Sequence, residues 1–321
     1  MNKQIIDSNP LQAVIDIGTN STRLLIYRFD GQGQIRRVDR AVRYTRMGQD
    51  VNQTGKLHPE AMQRNTAALT DYKKITAEYG IPDESVFIFA TSAMRDAENS
   101  PAYIQKVRDE LNWQISVIPG EREADLGFKG VSQCFDGDIL VFDIGGGSTE
   151  LILGSDDRII AKKSINMGCV RSTEKYILND PPILSELDAV RSEALKNVEA
   201  VLSEFPQSDF KTLVGIGGTA TTLSAMKQAM TDYDSEKIHQ SVLTIEEVRI
   251  LLDRLRQMPL SERQTVPGLA PQRADVIIAG LCIAEAIMTA TGRETYTVCD
   301  YDNLEGAAIM LKQNGSFFRN R

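Results

Sequence analysis

Apolar residues along this chain alternate between short runs and longer stretches in which they recur at helical spacing. Short apolar runs bounded by turn signals predict buried strands, whereas recurrence at every third or fourth position predicts amphipathic helices. In the first part of the chain these patterns predict the order β-β-β-α-β-α-β. The corresponding segments are 14–47 for the first three strands, and then 59–79, 86–91, 100–111 and 115–118.

The second half of the chain repeats this order. From residue 139 a strand, a glycine-rich turn, a second strand and a third strand near residues 158–166 are again followed by helices. We interpret the chain as an internal duplication of one α/β unit, with right-handed crossovers that place each mixed sheet between helices. The predicted domains are residues 1–128 and 129–321, the second with helical insertions and a terminal helix that packs back on the first. A cleft between such halves is a natural ligand site.

Two near-copies of one turn sequence sit about one domain apart. The first reads V-I-D-I-G-T-N-S-T-R from residue 14, and the second reads V-F-D-I-G-G-G-S-T-E from residue 141. Glycines let backbone N–H groups approach a phosphate, serine and threonine add hydrogen bonds, and a strand-end aspartate can hold a metal ion. One copy alone is equally consistent with an ordinary β-hairpin. Two matched copies that face each other predict a site that binds one phosphate chain from both sides.

A third glycine turn reads V-G-I-G-G-T from residue 214 and leads into a helical pattern. The backbone N–H groups of Gly217, Gly218 and Thr219 would then stand at a helix N-terminus, where the helix dipole favours an anion. A tight connection between a strand and a helix explains the same residues equally well.

Composition narrows the class of protein. The chain has 321 residues, 42 % hydrophobic and 25 % charged, which is typical of a soluble globular protein with two domains. No apolar run approaches the length of a transmembrane helix, and the polar segment 1–9 lacks the layout of a secretory signal. We therefore expect a cytoplasmic protein without a membrane role. The formal net charge of −8 argues against a DNA-binding protein, which would carry a basic surface.

A polyanionic ligand would have to be held by local groups. Basic residues crowd the segment after the first turn and recur in the second half. They are Arg36, Arg37, Arg40, Arg43 and Arg46, together with Lys162 and Lys163. A solvated strand face is the alternative interpretation of this run.

The cysteines suggest neither a zinc site nor a disulfide framework, and we expect them to be small core residues. They are Cys134, Cys169, Cys282 and Cys299. No C-x-x-C pair is present, and His58 and His239 are the only histidines in the sequence. Because histidine is so scarce, carboxylates are the better candidates for acid–base chemistry.

Several carboxylates and one arginine fall at predicted element ends. Glu123 belongs to P-G-E-R-E-A, at the start of a helix, where it either complements the helix dipole or projects into the cleft as a general base. Asp143 and Glu150 flank the second glycine turn and would suit Mg²⁺, which prefers oxygen ligands. Arg95, in A-T-S-A-M-R-D, follows a buried strand and is either a phosphate-binding fork or a helix-surface arginine.

Together these segments resemble the exopolyphosphatase/guanosine pentaphosphate phosphohydrolase (Ppx/GppA) family over nearly the whole chain. The resemblance includes the M-G-C-V-R turn at residue 167 and P-G-L-A-P-Q-R-A-D-V at residue 267. It implies two actin-like (ribonuclease H-like) α/β domains, with the active site in the cleft between them. It also implies Mg²⁺-dependent removal of terminal orthophosphate from inorganic polyphosphate, or of the 5′ γ-phosphate from guanosine pentaphosphate.

The resemblance assigns roles to individual residues. It implies that Glu123 is the catalytic base, that Asp143 and Glu150 lie near the metal, and that Asp16 is the strand-end acid of the first turn. The positions that match phosphate-contacting residues are Asn20, Ser21, Arg95, Gly145, Gly146, Gly147, Ser148 and Thr149.

Two positions depart from the family pattern. Arg122 replaces the first acid of E-E-A, and Leu304 replaces the arginine of a late R-E-G. Arg122 would either add substrate affinity or lower the basicity of Glu123. The chain resembles the short, two-domain form of the family, which lacks a C-terminal helical domain. A homodimer is an open possibility, since the apolar helix predicted at residues 275–289 fits either a core or an interface.

Two other functions are compatible with the same turns. An actin-like small-molecule kinase would transfer phosphate to an organic acceptor. A non-catalytic sensor would bind polyphosphate or a guanosine alarmone and signal by domain closure, and Arg122 and Leu304 are the features that favour it. The sequence does not choose between polyphosphate and guanosine pentaphosphate, because both present the same terminal phosphoanhydride.

Overall fold

Residues 9–207 and 209–313 are described by the structure, which is a computed structural model. The expectation of a cytoplasmic protein rests on the polar segment 1–9. Residues 1–8 of this segment lie outside the described residues. In the ranges described, no helix combines the length and the hydropathy needed to cross a bilayer.

The first half of the chain forms a five-stranded sheet with the order β3-β2-β1-β4-β5. The first three strands are antiparallel, and β4 and β5 run parallel to β1. The strands are β1 (Gln12–Ile17), β2 (Thr22–Phe29), β3 (Ile35–Arg43), β4 (Val86–Ala90) and β5 (Ile115–Val117). The helices are α1 (Val51–Thr54), α2 (Pro59–Glu78), α3 (Ser92–Asp96), α4 (Ser100–Leu111) and α5 (Gly120–Val131).

The second half forms a six-stranded sheet with the order β10-β11-β9-β6-β7-β8. Its strands are β6 (Asp138–Ile144), β7 (Thr149–Ser155), β8 (Arg158–Ile165), β9 (Thr212–Ile216), β10 (Val242–Thr244) and β11 (Thr295–Val298). Its helices are α6 (Cys169–Tyr176), α7 (Leu184–Glu204), α8 (Gly217–Lys227), α9 (Ser235–Ile238), α10 (Ile245–Leu255), α11 (Leu260–Arg263), α12 (Ile277–Thr291) and α13 (Asn303–Gln313).

The two sheets share one topology, which confirms the predicted fold. Read as β8-β7-β6-β9-β11, the second sheet has the connectivity of the first, and β10 is an additional antiparallel edge strand. The predicted helix at residues 100–111 coincides with α4, and the predicted strand at residues 86–91 ends one residue beyond β4. The central strands β1 and β6 are buried at every position after the first, because both faces of each sheet are covered.

The two halves exchange a helix. Helix α5 follows the first sheet but packs on the second, where Phe128 contacts a cluster that includes Val141 and Ile152. Helix α13 follows the second sheet but packs on the first, where Leu304 joins a cluster that includes Val14 and Leu25. The boundary predicted between residues 128 and 129, which the sequence places in a helix at residues 123–134, falls inside α5.

The apolar helix α12 is a core helix. Ile278, Leu281 and Ile283 are fully buried in the main hydrophobic cluster of the second half, and the helix packs chiefly against α7 and α10. Of the two alternatives for this segment, core and interface, the structure favours the core.

The crossing of α5 and α13 requires glycine. A Cβ on Gly306 would lie 1.8 Å from the carbonyl oxygen of Leu126, and a Cβ on Gly130 would lie 2.4 Å from the carbonyl oxygen of Asp302. Both obstacles are backbone atoms, which no side-chain rotation can move. Helix backbones can approach this closely only where side chains are absent.

We expect Gly306→Ala to lower the free energy of unfolding by about 1–3 kcal/mol, because the added methyl group forces the two helices apart. The loss should appear although alanine is about 1 kcal/mol better than glycine in a helix. Urea denaturation measures it. The control is Gly31→Ala, since a Cβ at Gly31 meets no atom within 4 Å. Equal unfolding midpoints for the two variants would contradict the close crossing.

Candidate active site

The turns that follow β1 and β6 have the same backbone geometry and face each other. In each turn the first glycine N–H donates to a carbonyl at 3.0 Å, Gly18 to Ser21 and Gly145 to Ser148. A Cβ on Gly146 would lie 2.8 Å from Cβ of Thr19, which belongs to the opposite turn. The second turn needs glycine because the first turn occupies the space that a side chain would fill.

A cavity of about 620 Å³ lies between the two halves and includes both turns. Its wall brings together most of the residues predicted from the sequence. Those that line it are Asp16, Asn20, Ser21, Glu123, Asp143, Gly145, Gly146, Gly147, Ser148, Gly217 and Gly218. Residues distant in sequence thus converge on one site.

Four predicted site residues do not line the cavity. Arg95 and Glu150 lie beside Glu123, behind the wall. The hydroxyls of Thr149 and Thr219 donate to the carbonyl oxygens of Met167 and Ile144, at 2.6 and 2.7 Å. These two threonine hydroxyls brace the site and do not face a ligand in this arrangement.

Strand register places charged side chains in equivalent pairs. Asp16 on β1 lies opposite Arg23 on β2, and Asp143 on β6 lies opposite Glu150 on β7. The first pair is an ion pair, with Arg23 Nη2 at 2.5 Å from Asp16 Oδ2. The second pair consists of two carboxylates, an arrangement that is unfavourable in a sheet unless a cation intervenes. The duplicated hairpins therefore differ in charge at one equivalent position.

Glu123 occupies the first turn of α5, at the end of the helix that faces the cavity. Its carboxylate is buried, and Arg95 Nη1 lies 3.6 Å from Oε2. Burial, together with the charges of Glu150 and Asp16, raises the pKa of Glu123 well above its usual range, while Arg95 lowers it. A buried carboxylate that has a raised pKa and an oxygen without a hydrogen bond in the described residues has the properties of a general base.

Asp143 and Glu150 share this buried environment. Burial and then the charge of Asp302 raise the pKa of Asp143 to about 7. Burial and then the charge of Asp143 raise the pKa of Glu150 to about 8. Ser164 Oγ donates to Glu150 Oε1 at 2.7 Å, and Asn303 Nδ2 donates to Asp143 Oδ2 at 3.3 Å.

The donor set fits a hard divalent cation. In the described part of the chain, three buried carboxylate oxygens of the site accept no hydrogen bond, namely Asp16 Oδ1, Glu123 Oε2 and Glu150 Oε2. Buried oxygens without partners are costly, and a cation would satisfy them. Arg23 and Arg95 do not balance the acids that surround them, so the site has an excess of negative charge that Mg²⁺ would neutralise.

The third glycine turn makes room for Asp143. Gly217 has a φ of +73°, and a Cβ there would lie 2.2 Å from Asp143 Oδ1. At Gly218 a Cβ would lie 2.5 Å from Arg273 Nη1. Both positions also line the cavity. The two interpretations of this turn are thus compatible, since a tight strand-to-helix connection places the N-terminus of α8 at the site.

Sequence reasoning missed several residues that hold the site together. Arg23 bridges Asp16 and Asp302, and so joins the two halves. Arg171 Nε donates to the Gly147 carbonyl at 2.9 Å and also pairs with Asp96 of the first half. Arg23 belongs to the first turn sequence, which is the signal that identifies it. No local signal marks its partner, because Asp302 is distant in sequence.

The basic run after the first turn is largely paired. Arg37 and Arg40 lie 2.6 and 2.8 Å from Asp300 Oδ2, and Arg37 Nε lies 2.8 Å from Glu305 Oε1. Arg46 pairs with Asp275 at 2.8 Å. These arginines connect the two halves, and of the predicted basic group only Arg40 lines the cavity.

The two departures from the family pattern lie away from the cavity lining. Arg122 is exposed on α5 and lies 4.0 Å from Asp125, while Arg95 is the cation that lowers the pKa of Glu123. Leu304 is buried between α13 and the first sheet.

The chain is similar to several characterised bacterial proteins. It is 36 % identical to exopolyphosphatase 2 of Mycobacterium tuberculosis, over 93 % of the chain and 98 % of that protein. It is 40 % identical to the bifunctional 3-dehydroquinate synthase/phosphatase of Fusobacterium nucleatum, over 97 % of the chain but 48 % of that protein. It is 30 % identical to the guanosine-5′-triphosphate,3′-diphosphate pyrophosphatase of Photobacterium profundum, over 90 % of the chain and 57 % of that protein. The chain thus spans about half the length of two of these relatives.

Solved structures share the fold. An exopolyphosphatase from Cytophaga hutchinsonii superposes with a TM-score of 0.85 at 27 % identity, covering 94 % of this chain and 98 % of that one. The Aquifex aeolicus Ppx/GppA family member superposes with a TM-score of 0.78 at 29 % identity, covering 95 % of this chain and 99 % of that one. The model of the Ppx/GppA phosphatase family matches residues 25–312. The chain therefore belongs to the Ppx/GppA phosphatase family.

Proposed function

We propose that this protein hydrolyses a terminal phosphoanhydride, releasing orthophosphate from inorganic polyphosphate, from guanosine pentaphosphate, or from both. One observation carries the proposal: the buried carboxylate of Glu123 opens into the same cavity as two facing phosphate-type turns. The names of the relatives support it. Coverage of 98 % of an exopolyphosphatase shows that a chain of this length matches one such enzyme almost completely.

The turns would fix the terminal phosphoryl group. Gly146 and Gly147 line the cavity and would offer their backbone N–H groups to a phosphate without side chains to hold it off, whereas the Gly145 N–H donates to the Ser148 carbonyl. Asn20 Nδ2 is buried and donates no hydrogen bond within the described residues, so it is available to a phosphate oxygen. Donors that are already in place stabilise developing charge without reorganisation, which is the main source of catalysis in phosphoryl transfer.

Glu123 would orient a water molecule and accept its proton. Burial and the neighbouring carboxylates raise the pKa of Glu123, which makes its carboxylate a stronger base than an ordinary glutamate. Arg95 at 3.6 Å favours the ionised form that the reaction requires.

Asp143 and Glu150 would hold Mg²⁺, because Glu150 Oε2 accepts no hydrogen bond within the described residues and the two neighbouring carboxylates concentrate negative charge. A bound Mg²⁺ would neutralise charge on the phosphate oxygens and favour the ionised forms of the surrounding acids. Arg23 already neutralises Asp16, so the metal is expected nearer the second hairpin.

We expect Glu123→Gln to lower phosphate release by about 10²–10⁴-fold, because the amide cannot accept the proton. The assay measures Mg²⁺-dependent orthophosphate release from long-chain polyphosphate and from guanosine pentaphosphate side by side, so the wild type also identifies the substrate. Binding of either substrate should be retained. Glu121→Gln is the matched control, an exposed acid of the same helical turn, and should stay fully active.

Other outcomes of this assay favour other functions. Unchanged turnover in Glu123→Gln would exclude this residue as the base. Tight binding without release in the wild type would favour the sensor, and phosphate transfer that depends on an organic acceptor would favour the kinase.

Glu150→Gln should change how stability depends on pH in the absence of divalent cations. The raised pKa of about 8 means that Glu150 keeps its proton in the folded protein at pH values where the unfolded chain has lost it. Its contribution to stability therefore falls as pH rises from about 5 to 8. The variant should match the wild type near pH 5 and exceed it by roughly 2–4 kcal/mol near pH 8.

Urea unfolding at both pH values, with and without Mg²⁺, tests this expectation. Added Mg²⁺ should stabilise the wild type more than Glu150→Gln, since the variant lacks one of the metal's charged ligands. Parallel pH profiles for the two proteins, or equal stabilisation by Mg²⁺, would contradict the assignment of Glu150. Glu121→Gln serves again as the exposed control.

A further inference from the structure

The side chains of two cysteines and one histidine, all able to bind a metal, lie close together outside the cavity of the candidate active site. Cys134 lies just beyond the C-terminal end of α5, His239 caps α9, and Cys299 directly follows β11. Their sulfur atoms and a ring nitrogen all lie within 4.8 Å of one another. The spacing of the cysteines argues against a zinc site, because the fold and not this spacing brings the three side chains together.

We propose that Cys134, His239 and Cys299 bind a zinc ion. Two thiolates and one imidazole form a ligand set that Zn²⁺ prefers, and three protein ligands leave the fourth tetrahedral position for water. The set differs in chemistry from the all-oxygen set of Asp143 and Glu150, which suits Mg²⁺. These three residues do not line the cavity of the candidate active site, and the zinc proposal does not rest on the proposed hydrolysis.

The surroundings suit a metal. Cys299 is buried, whereas Cys134 and His239 are half-buried, so an ion can enter from one side. The rings of Phe135 and Tyr301 stand 6.5 and 5.7 Å from the imidazole and limit its movement. Rigid ligands that are already close together need little rearrangement on binding.

The hydrogen bonds of the cluster favour metal binding. His239 Nδ1 accepts a long hydrogen bond, 3.3 Å, from the Asp300 N–H, so this nitrogen is unprotonated. Ligation through Nδ1 requires the loss of this one weak bond. Cys134 Sγ is hydrogen-bonded to Cys299 and to His239, so the three ligand side chains already meet at one point. A thiolate is the form of cysteine that binds metals.

A metal here would fix the segment that completes the candidate active site. Cys299 is followed by Asp300, which pairs with Arg37 and Arg40, and then by Asp302, which pairs with Arg23. Cys134 lies three residues beyond the end of α5, the helix that carries Glu123 in its first turn. The ion would tie the end of α5 to this segment, outside the cavity that the glycine turns line.

Metal content of the full chain tests the proposal. The protein is purified in reductant without chelator, supplied with zinc, and dialysed against buffer with excess Mg²⁺, so that oxygen ligands are occupied by the harder ion. We expect about one zinc per chain to be retained. Cobalt substitution should give thiolate-to-metal charge-transfer absorption, which carboxylate sites do not produce. Added zinc should raise the Tm.

Substitutions identify the ligands. Cys134→Ala and His239→Gln should each lose the retained zinc, the cobalt absorption and the rise in Tm. Both residues are half-buried, and circular dichroism checks that the variants fold. Cys282→Ala and His58→Gln are the matched controls, since both residues lie outside the cluster, and they should retain all three signals.

Other results would overturn the assignment. They are the absence of retained zinc in the reduced wild type, equal zinc retention by the Cys134 and His239 variants, and a cobalt spectrum without thiolate absorption. A disulfide between Cys134 and Cys299 that persists in reductant and prevents zinc binding would overturn it as well.

Discussion

The close crossing of α5 and α13 is the constraint on which the site depends. Backbone meets backbone there, at Gly130 and Gly306, so the relative position of the two helices is fixed within narrow limits. The N-terminal end of α5 carries Glu123, and the N-terminal end of α13 carries Asn303, which donates to Asp143. Glu123, on the exchanged helix of the first half, thus lies beside Glu150 of the second hairpin, and Asp302, directly before α13, pairs with Arg23 of the first hairpin.

Duplication alone does not produce the site, because the two hairpins differ in charge. Where the first hairpin pairs Asp16 with Arg23, the second sets Glu150 opposite Asp143. The first pair is neutral and supports the fold, whereas the second concentrates negative charge and raises two pKa values. The equivalent positions Arg23 and Glu150 thus give the two copies of the turn different charges, and the proposed metal site lies beside the second copy.

Local patterns predicted most of the fold and part of the site. Apolar runs and glycine turns identify Asp16, Asp143 and the facing turns, since these depend on residues a few positions apart. Thr149 was predicted at the site but does not line the cavity, because successive side chains of a strand point to opposite faces. Glu150 points toward α5, so its neighbour Thr149 points to the opposite face. The pairing of Arg23 with Asp302, and the meeting of Cys134 with Cys299, depend on tertiary packing that no short window contains.

The helix exchange also means that neither half is a separable domain. A fragment that ends before α13 would expose the face of the first sheet that Leu304 and Ala307 cover. A fragment that begins after α5 would likewise expose the face that Phe128 covers. Each fragment would present a large apolar surface to water and aggregate. The two halves should therefore fold and unfold as one cooperative unit, and co-expressed fragments would regain structure only by reassembling with each other's helix.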